Sequence, residues 1–273
     1  MSIELGRIGI WQWRNAFDDE FAAEIERLGY GAIWIGGSPP GDLEVVEQVL
    51  DATSTIAVAT GIVNIWRDDA TTVAESYHRI TRKHPDRFLL GIGVGHPEAS
   101  SEYTRPYAAL TGYLDTLDDA GVPAENRALA ALGPKVLRLS ADRTAGAHPY
   151  LTTPDHTRQA REVLGDRPLL APEHKVVLDE DADRAREIAR QTVRRYLGLR
   201  NYAQNLRRLG YTDADLSDGG SDRLIDDLAL HGDPATVARG ITAHLDAGAD
   251  HVCVQLLGDD RRAGYRALAA ELL

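Results

Sequence analysis

The chain has 273 residues, 43% of them apolar, and a formal net charge of −12. That length suits one large core, and a parallel barrel of about 250 residues is commonly built as a single domain, so one domain over residues 1–273 is expected. The acidic balance argues against nucleic acid as a partner, because binding phosphate backbones draws on clustered Lys and Arg; an anionic ligand would need a local basic patch.

Parallel strands covered on both faces read as short, nearly continuous apolar runs, separated by helices of 3.6-residue periodicity. Eight such runs follow one another, at residues 8–11, 32–35, 56–62, 88–94, 128–132, 145–148, 169–171 continuing to 176, and 251–257. Between them, Asp69 opens a helix that puts Val73, Tyr77 and Ile80 on one face, and Asp233-Pro234 opens another carrying Val237, Ile241 and Leu245. The reading is an α/β fold, a (β/α)8 TIM barrel. A helical, Arg-rich stretch followed by a polar one, residues 179–232, is an insertion before the last βα unit, placed near the barrel mouth. The lone Cys253 supports neither a disulfide framework nor a cysteine-rich metal site. Residues 1–7 lack a basic segment leading into an apolar one, and no run approaches the roughly 20 apolar residues of a membrane helix. A cytoplasmic protein with no membrane partner is the expectation. No His-x-His pair or His-Glu-x-x-His spacing occurs, so no metal is expected either.

The glycine clusters bear on chemistry. Gly91-Ile92-Gly93-Val94-Gly95-His96 departs from a dinucleotide fingerprint, because His96 stands where the third glycine belongs and Pro97 follows. Alternate glycines at a strand end either let a flat ring approach the backbone or let neighbouring strands pack closely; both readings stay open. Gly133-Pro134-Lys135 precedes a helical pattern, so it is either a phosphate cradle or an ordinary strand-to-helix turn. In Thr60-Gly61-Ile62-Val63-Asn64 the apolar run passes straight through a glycine, the mark of a bulge.

Thr60-Gly61-Ile62-Val63-Asn64, then Trp66-Arg67-Asp68-Asp69, Pro85-Asp86-Arg87-Phe88-Leu89-Leu90-Gly91-Ile92-Gly93, Ala131-Leu132-Gly133-Pro134-Lys135 and Ala145-Gly146-Ala147-His148-Pro149-Tyr150 resemble, in order, the luciferase-like monooxygenase superfamily. The likeness is greatest to its branch that uses coenzyme F420. The resemblance implies a luciferase-like barrel, a homodimer, a small-molecule substrate, and a non-prolyl cis peptide after the third strand, by position Gly61–Ile62. It implies coenzyme F420 as cofactor, with FMN as the alternative. Thr60, Gly61, Ile62, Asn64, Gly93, Val94 and Gly95 would then lie around the ring, and Leu132, Gly133 and Lys135 near the phosphate of the tail. Arg67 and Arg138 are further candidates for the tail. Trp34, with Trp11 and Trp13, would either wall the pocket or fill the barrel end.

The reaction so implied is hydride transfer between the deazaflavin ring and a small organic substrate, in which positioning does much of the work. His96 is the candidate catalytic residue, because it stands at the end of the fourth strand and imidazole titrates near neutrality; the plain alternative is a loop histidine. Sugar-phosphate-oxidising relatives carry an acidic residue followed by histidine after the second strand, where this chain has Gly36-Gly37-Ser38. That departure weighs against sugar-phosphate oxidation and fits a reductase or a weakly catalytic cofactor binder; the alternatives to an F420-dependent oxidoreductase are an FMN-dependent luciferase-like monooxygenase and a non-catalytic flavin or deazaflavin binder. His78 and His84 read as solvated or capping, and His174 as able to reach the mouth.

Overall fold

The computed structural model describes residues 3–96 and 105–273; Pro97 lies outside the described residues. The strands are β1 (Ile8–Trp13), β2 (Ala32–Gly36), β3 (Ala57–Gly61), β4 (Val63–Asn64), β5 (Phe88–Gly93), β6 (Arg127–Leu129), β7 (Gly146–Ala147), β8 (Leu169–Leu170), β9 (Glu173–Val177), β10 (Ala229–His231) and β11 (Val252–Leu256). All of them belong to one parallel sheet, with neighbours in the order β10-β9-β11-β1-β2-β3-β5-β6-β7-β8 and β4 beside β5. The sheet closes because β8 and β9 are two pieces of a single seventh strand. Pro172 interrupts it, having no N–H to give to a ladder. Hydrogen bonds span the gap, from Ala171 N to Ala147 O on one side and from Cys253 N to Pro172 O on the other.

The eight apolar runs are thus the eight staves of a barrel, with two adjustments. The third run is split at Ile62 into β3 and β4, and the Gly61–Ile62 peptide is cis, as the resemblance implies. The insertion is helical, with Ala182–Leu197, Arg200–Arg208, Asp213–Leu216 and Asp222–Leu228. Its last residues are not part of a polar excursion: β10 pairs with Lys175, Val176 and Val177 of β9. Three residues are too few for a periodic signal, which is why this edge escapes a reading by apolar pattern.

The helices start where the caps predict. Asp69 accepts from Thr72 N at the head of Ala70–Lys83, and Asp233 accepts from Thr236 N at the head of Pro234–Asp246. Val73, Tyr77, Ile80, Val237 and Ile241 are buried as expected, and Leu245 packs against the core from its edge. Strand residues alternate, as a period of two demands. Ile8, Ile10, Ile33, Ile35 and Val58 face the helices, while Trp11, Trp34, Ala57, Ala59, Leu89, Ala128, Ala171 and Cys253 form an inner cluster.

Five histidines are packed into this frame. Trp34 Nε1 donates to His251 Nε2 (3.0 Å), and His251 Nδ1 donates to Gly6 O (2.9 Å). His244 bridges Thr157 and His174 through its two ring nitrogens, each at 2.8 Å. Burial, which penalises the imidazolium, holds His148 and His251 down to about 4 and His244 to about 3, and lowers His156 and His174 as well. The unfolded chain takes up these protons from about pH 6.5 downward while the folded chain does not, so stability is full above that pH and falls as the pH drops toward 4. Thermal unfolding should therefore show a midpoint that is level near neutrality and declines steadily below about pH 6.5, each histidine adding a slope of up to about 1.4 kcal/mol per pH unit. A midpoint unchanged down to about pH 4.5 would count against the buried neutral histidines.

Candidate active site

Because every barrel strand runs the same way, the carboxyl ends collect at one rim, and there lies a cavity of about 640 Å³. Glycines at and beyond the strand ends let the residues of its walls pack close to the barrel. A β-carbon on Gly36 would run into the Trp11 ring, one on Gly61 would lie 2.5 Å from Trp11 Nε1 and 3.2 Å from His148 Nε2, and one on Gly95 would lie 2.6 Å from Asn64 Nδ2. Trp11 and Trp13 meet edge to face at 5.5 Å and wall one side. They pack against Gly36 and Gly37 at the end of β2. Gly61, Ile62 and Asn64 form a second side, with Val94, Gly95 and His96 beyond β5.

The inserted helices close over the rim. Ala182–Leu197 brings Arg195 and Tyr196 to the cavity, and Arg200–Arg208 brings Asn201, Tyr202 and Arg208. Tyr150, from the loop after β7, ties these helices to the barrel: its hydroxyl donates to Gln255 Oε1 (3.0 Å) and lies 3.0 Å from the Tyr196 hydroxyl. The His96 ring is tilted against Tyr202 at 5.3 Å, and its Nδ1 lies 3.3 Å from Asn201 Oδ1.

One end of the cavity is cationic. The helix Pro134–Arg143 begins there, with Gly133 as its N-cap, and Lys135 Nζ stands 3.9 Å over the Tyr107 ring. Arg208 Nη2 donates to Asn205 Oδ1 (3.0 Å) and lies 3.6 Å from where a Gly133 β-carbon would be. Lys135, Arg195 and Arg208 have no carboxylate partner among the described residues. Free cations beside a helix start suit an anionic group.

Of the candidate site residues, Gly61, Ile62, Asn64, Val94, Gly95, His96, Leu132, Gly133 and Lys135 all line this one cavity. Trp34, Thr60 and Gly93 do not; they stand behind its wall. Trp34 is fully buried and stacked on His148 at 4.1 Å, screened from the space above by Trp11 and His148. The Thr60 hydroxyl donates to Gly91 O and accepts from Gly91 N, both at 2.8 Å, tying β3 to β5. Gly93 makes room for the Ile62 side chain, 3.0 Å from its missing β-carbon. Arg67 is turned away to Asp68 and Pro39 O (2.6 Å), and Arg138, a turn beyond Lys135, is exposed outside the cavity. His174 does not reach the mouth: it faces outward from β9, against His244. Trp11 and Trp13 are walls. The residues that sequence reading missed are Tyr150, Tyr196, Tyr202, Arg195, Arg208 and His148, most of them delivered by the insertion or by loops without periodicity.

Beneath the cavity a charged pair lies inside the barrel. Lys175 Nζ donates to both carboxylate oxygens of Glu173 (3.0 Å), Leu151 N donates to Glu173 Oε2 (3.1 Å), and Lys175 stands 3.8 Å over the Tyr150 ring. Both residues are fully buried. Burial drives the lysine down and the glutamate up, and the partner's charge opposes each shift. Removing one partner strands the other, so Lys175→Met should cost about 3–5 kcal/mol in denaturant unfolding, with much of it recovered in the Glu173→Gln/Lys175→Met double variant. Equal stability of Lys175→Met and the parent chain would refute the pairing.

The comparisons agree with this architecture. The sequence model of the luciferase-like monooxygenase family matches residues 17–120. Among solved structures, the coenzyme F420 dependent tetrahydromethanopterin reductase from Methanopyrus kandleri is 17% identical over 98% of both chains, with a TM-score of 0.77. An F420-dependent secondary alcohol dehydrogenase in complex with an F420-acetone adduct is 14% identical over 97% of both chains, with a TM-score of 0.75. The oxygenating constituent of 3,6-diketocamphane monooxygenase from the CAM plasmid of Pseudomonas putida, in complex with FMN, is 16% identical over 97% of this chain and 96% of that one, with a TM-score of 0.65. Curated protein sequences give no match. The chain folds as a (β/α)8 barrel similar to those solved structures, and its residues 17–120 match the luciferase-like monooxygenase family. The solved structures that share its fold include F420-dependent enzymes and flavin monooxygenases. Among the described residues, no helix is long and apolar enough to cross a membrane.

Proposed function

We propose that the chain is an F420-dependent oxidoreductase that moves a hydride between the deazaflavin ring and a small organic substrate. The observation that carries this reading is the pairing, in one cavity, of a wall with bare backbone at Gly61 and Gly95 and a cationic end, on a chain whose net charge is −12. The residues present fit such a group. Gly61 and Gly95 put bare backbone on the cavity wall, which a flat ring can approach closely. When bound, a deazaflavin supplies a two-electron hydride carrier. Gly61, Ile62, Asn64, Val94 and Gly95 would border its ring. Lys135 and Arg208, with the helix start at Gly133, would hold the anionic tail, and the several negative charges of an F420 tail favour it over FMN, which carries one phosphate.

The chain's own contributions are positioning, exclusion of water and proton handling. Trp11, Trp13, Tyr150, Tyr196 and Tyr202 surround the remaining space with apolar rings, which order a small substrate against the cofactor. His96 is the residue we assign to the proton, since it borders the cavity and is oriented by Asn201 and Tyr202. Titrations followed by fluorescence should show tighter binding of F420 than of FMN, and Lys135→Ala/Arg208→Ala should weaken F420 by about tenfold or more. Preference for FMN would transfer the reading to an oxygen-using monooxygenase. His96→Ala should lower kcat by about a hundredfold while leaving the F420 dissociation constant within about twofold, and an unchanged kcat would remove His96 from the chemistry.

A further inference from the structure

The turn between the first two inserted helices brings an arginine and a helix start together with no acid between them. The helix Arg200–Arg208 begins after Leu199, whose side chain offers no cap, and no acid stands in its first turn. The N–H groups of Asn201 and Tyr202 therefore receive no acceptor from the cap, and the positive end of the helix dipole has no local counter-charge. Arg195 lies in the last turn of the preceding helix, Ala182–Leu197, and lines the cavity. Other arginines of that helix are engaged. Arg184, Arg186 and Arg190 are tied to Asp179, Asp226 and Asp222, and Arg194 packs beside Gly219, outside the cavity. Arg195 has neither an ion pair nor a hydrogen bond among the described residues, not even with the last carbonyls of its own helix.

Leu199, Asn201 and Tyr202 line the same cavity. Tyr202 is only 7% exposed, its ring held by Tyr196 at 5.2 Å and His96 at 5.3 Å. Its hydroxyl has no hydrogen-bond partner among the described residues and is not sealed off from the cavity. Burial keeps that phenol protonated, so it is a donor. Guanidinium, helix N–H and phenol are all donors, and no Asp or Glu among the described residues lines the cavity. The set is separate from the one assigned to the cofactor tail. Arg208, which stands over Gly133, closes the same helix about 12 Å further along its axis.

We propose that the start of the helix Arg200–Arg208, together with Arg195 and Tyr202, is a carboxylate subsite, so that the small substrate is an organic acid with an apolar body. The guanidinium takes the carboxylate as a charged hydrogen-bond pair, and the helix start adds N–H groups aimed at the same charge. One arginine and one helix start match a single negative charge, while the aromatic rings of the cavity cover the carbon skeleton. The inference rests on the function proposed above in reserving Lys135 and Arg208 for the cofactor tail. It is tested by binding alone.

The test is isothermal titration of the full chain with 3-phenylpropanoate and with its neutral isostere 3-phenylpropanamide, each in the absence and presence of saturating F420. The acid should bind about tenfold or more tightly than the amide in both settings. Arg195→Met should remove that preference while leaving the amide and F420 within about twofold of the parent chain. Arg195→Lys, which keeps the charge without the planar fork, should retain part of it. Tyr202→Phe should weaken the acid about threefold or more. A preference that survives Arg195→Met, or a cavity that takes neither probe, would overturn the subsite. So would loss of the preference on saturation with F420, since the acid would then have occupied the place of the tail. Weaker F420 binding in Arg195→Met with the acid unaffected would make Arg195 a tail contact instead. A chain that shows the Arg195-dependent preference and ignores F420 would contradict the proposed cofactor and leave the subsite standing.

Discussion

Close packing at the carboxyl rim shapes the site. At Gly36, Gly61 and Gly95 a β-carbon would strike Trp11, His148 or Asn64, so only glycine lets those side chains lie against the rim. Deeper in, the barrel interior is filled by the alternation of its strands, with Trp34, Leu89 and Cys253 packed inside and the Glu173–Lys175 pair among them. The cavity lies above this filled level, with its aromatic wall from β1 and its cations from the helix after β6 and from the insertion.

At the end of β2, Gly36 and Gly37 are covered by Trp11 and Trp13 from β1. A wall of rings suits apolar molecules better than phosphorylated ones. Lys135 and Arg208 are kept at the far end.

Much of the fold was legible in the sequence because parallel barrel strands are buried on both faces and therefore spell apolar runs; all eight were found. The glycine interrupting the third run was legible as a break for the same reason. What escaped has equally physical causes. β10 is three residues long and carries no period. Trp34 and Trp11 look alike in sequence, but Trp34 lies a layer deeper than Gly36, and only the overlay of Trp11 decides which ring meets the cavity. Arg208, Tyr196 and Tyr202 sit on helices of the insertion, and their approach to the rim depends on how the insertion folds back. Arg67 and Arg138 are tail candidates by position in the sequence, and position in the sequence does not set direction: one is held by Asp68 and Pro39, the other is a turn too far along its helix.

On the proposed function, the wall at Gly61 and Gly95 and the cationic end together hold one elongated, acidic redox cofactor. A crystal structure of the chain with F420 is the decisive measurement. The expected result is the deazaflavin ring against Gly61, Ile62 and Gly95, with the tail's phosphate at the helix start within reach of Lys135 and Arg208. A ring bound elsewhere, or a tail that leaves Gly133, Lys135 and Arg208 untouched, would contradict it.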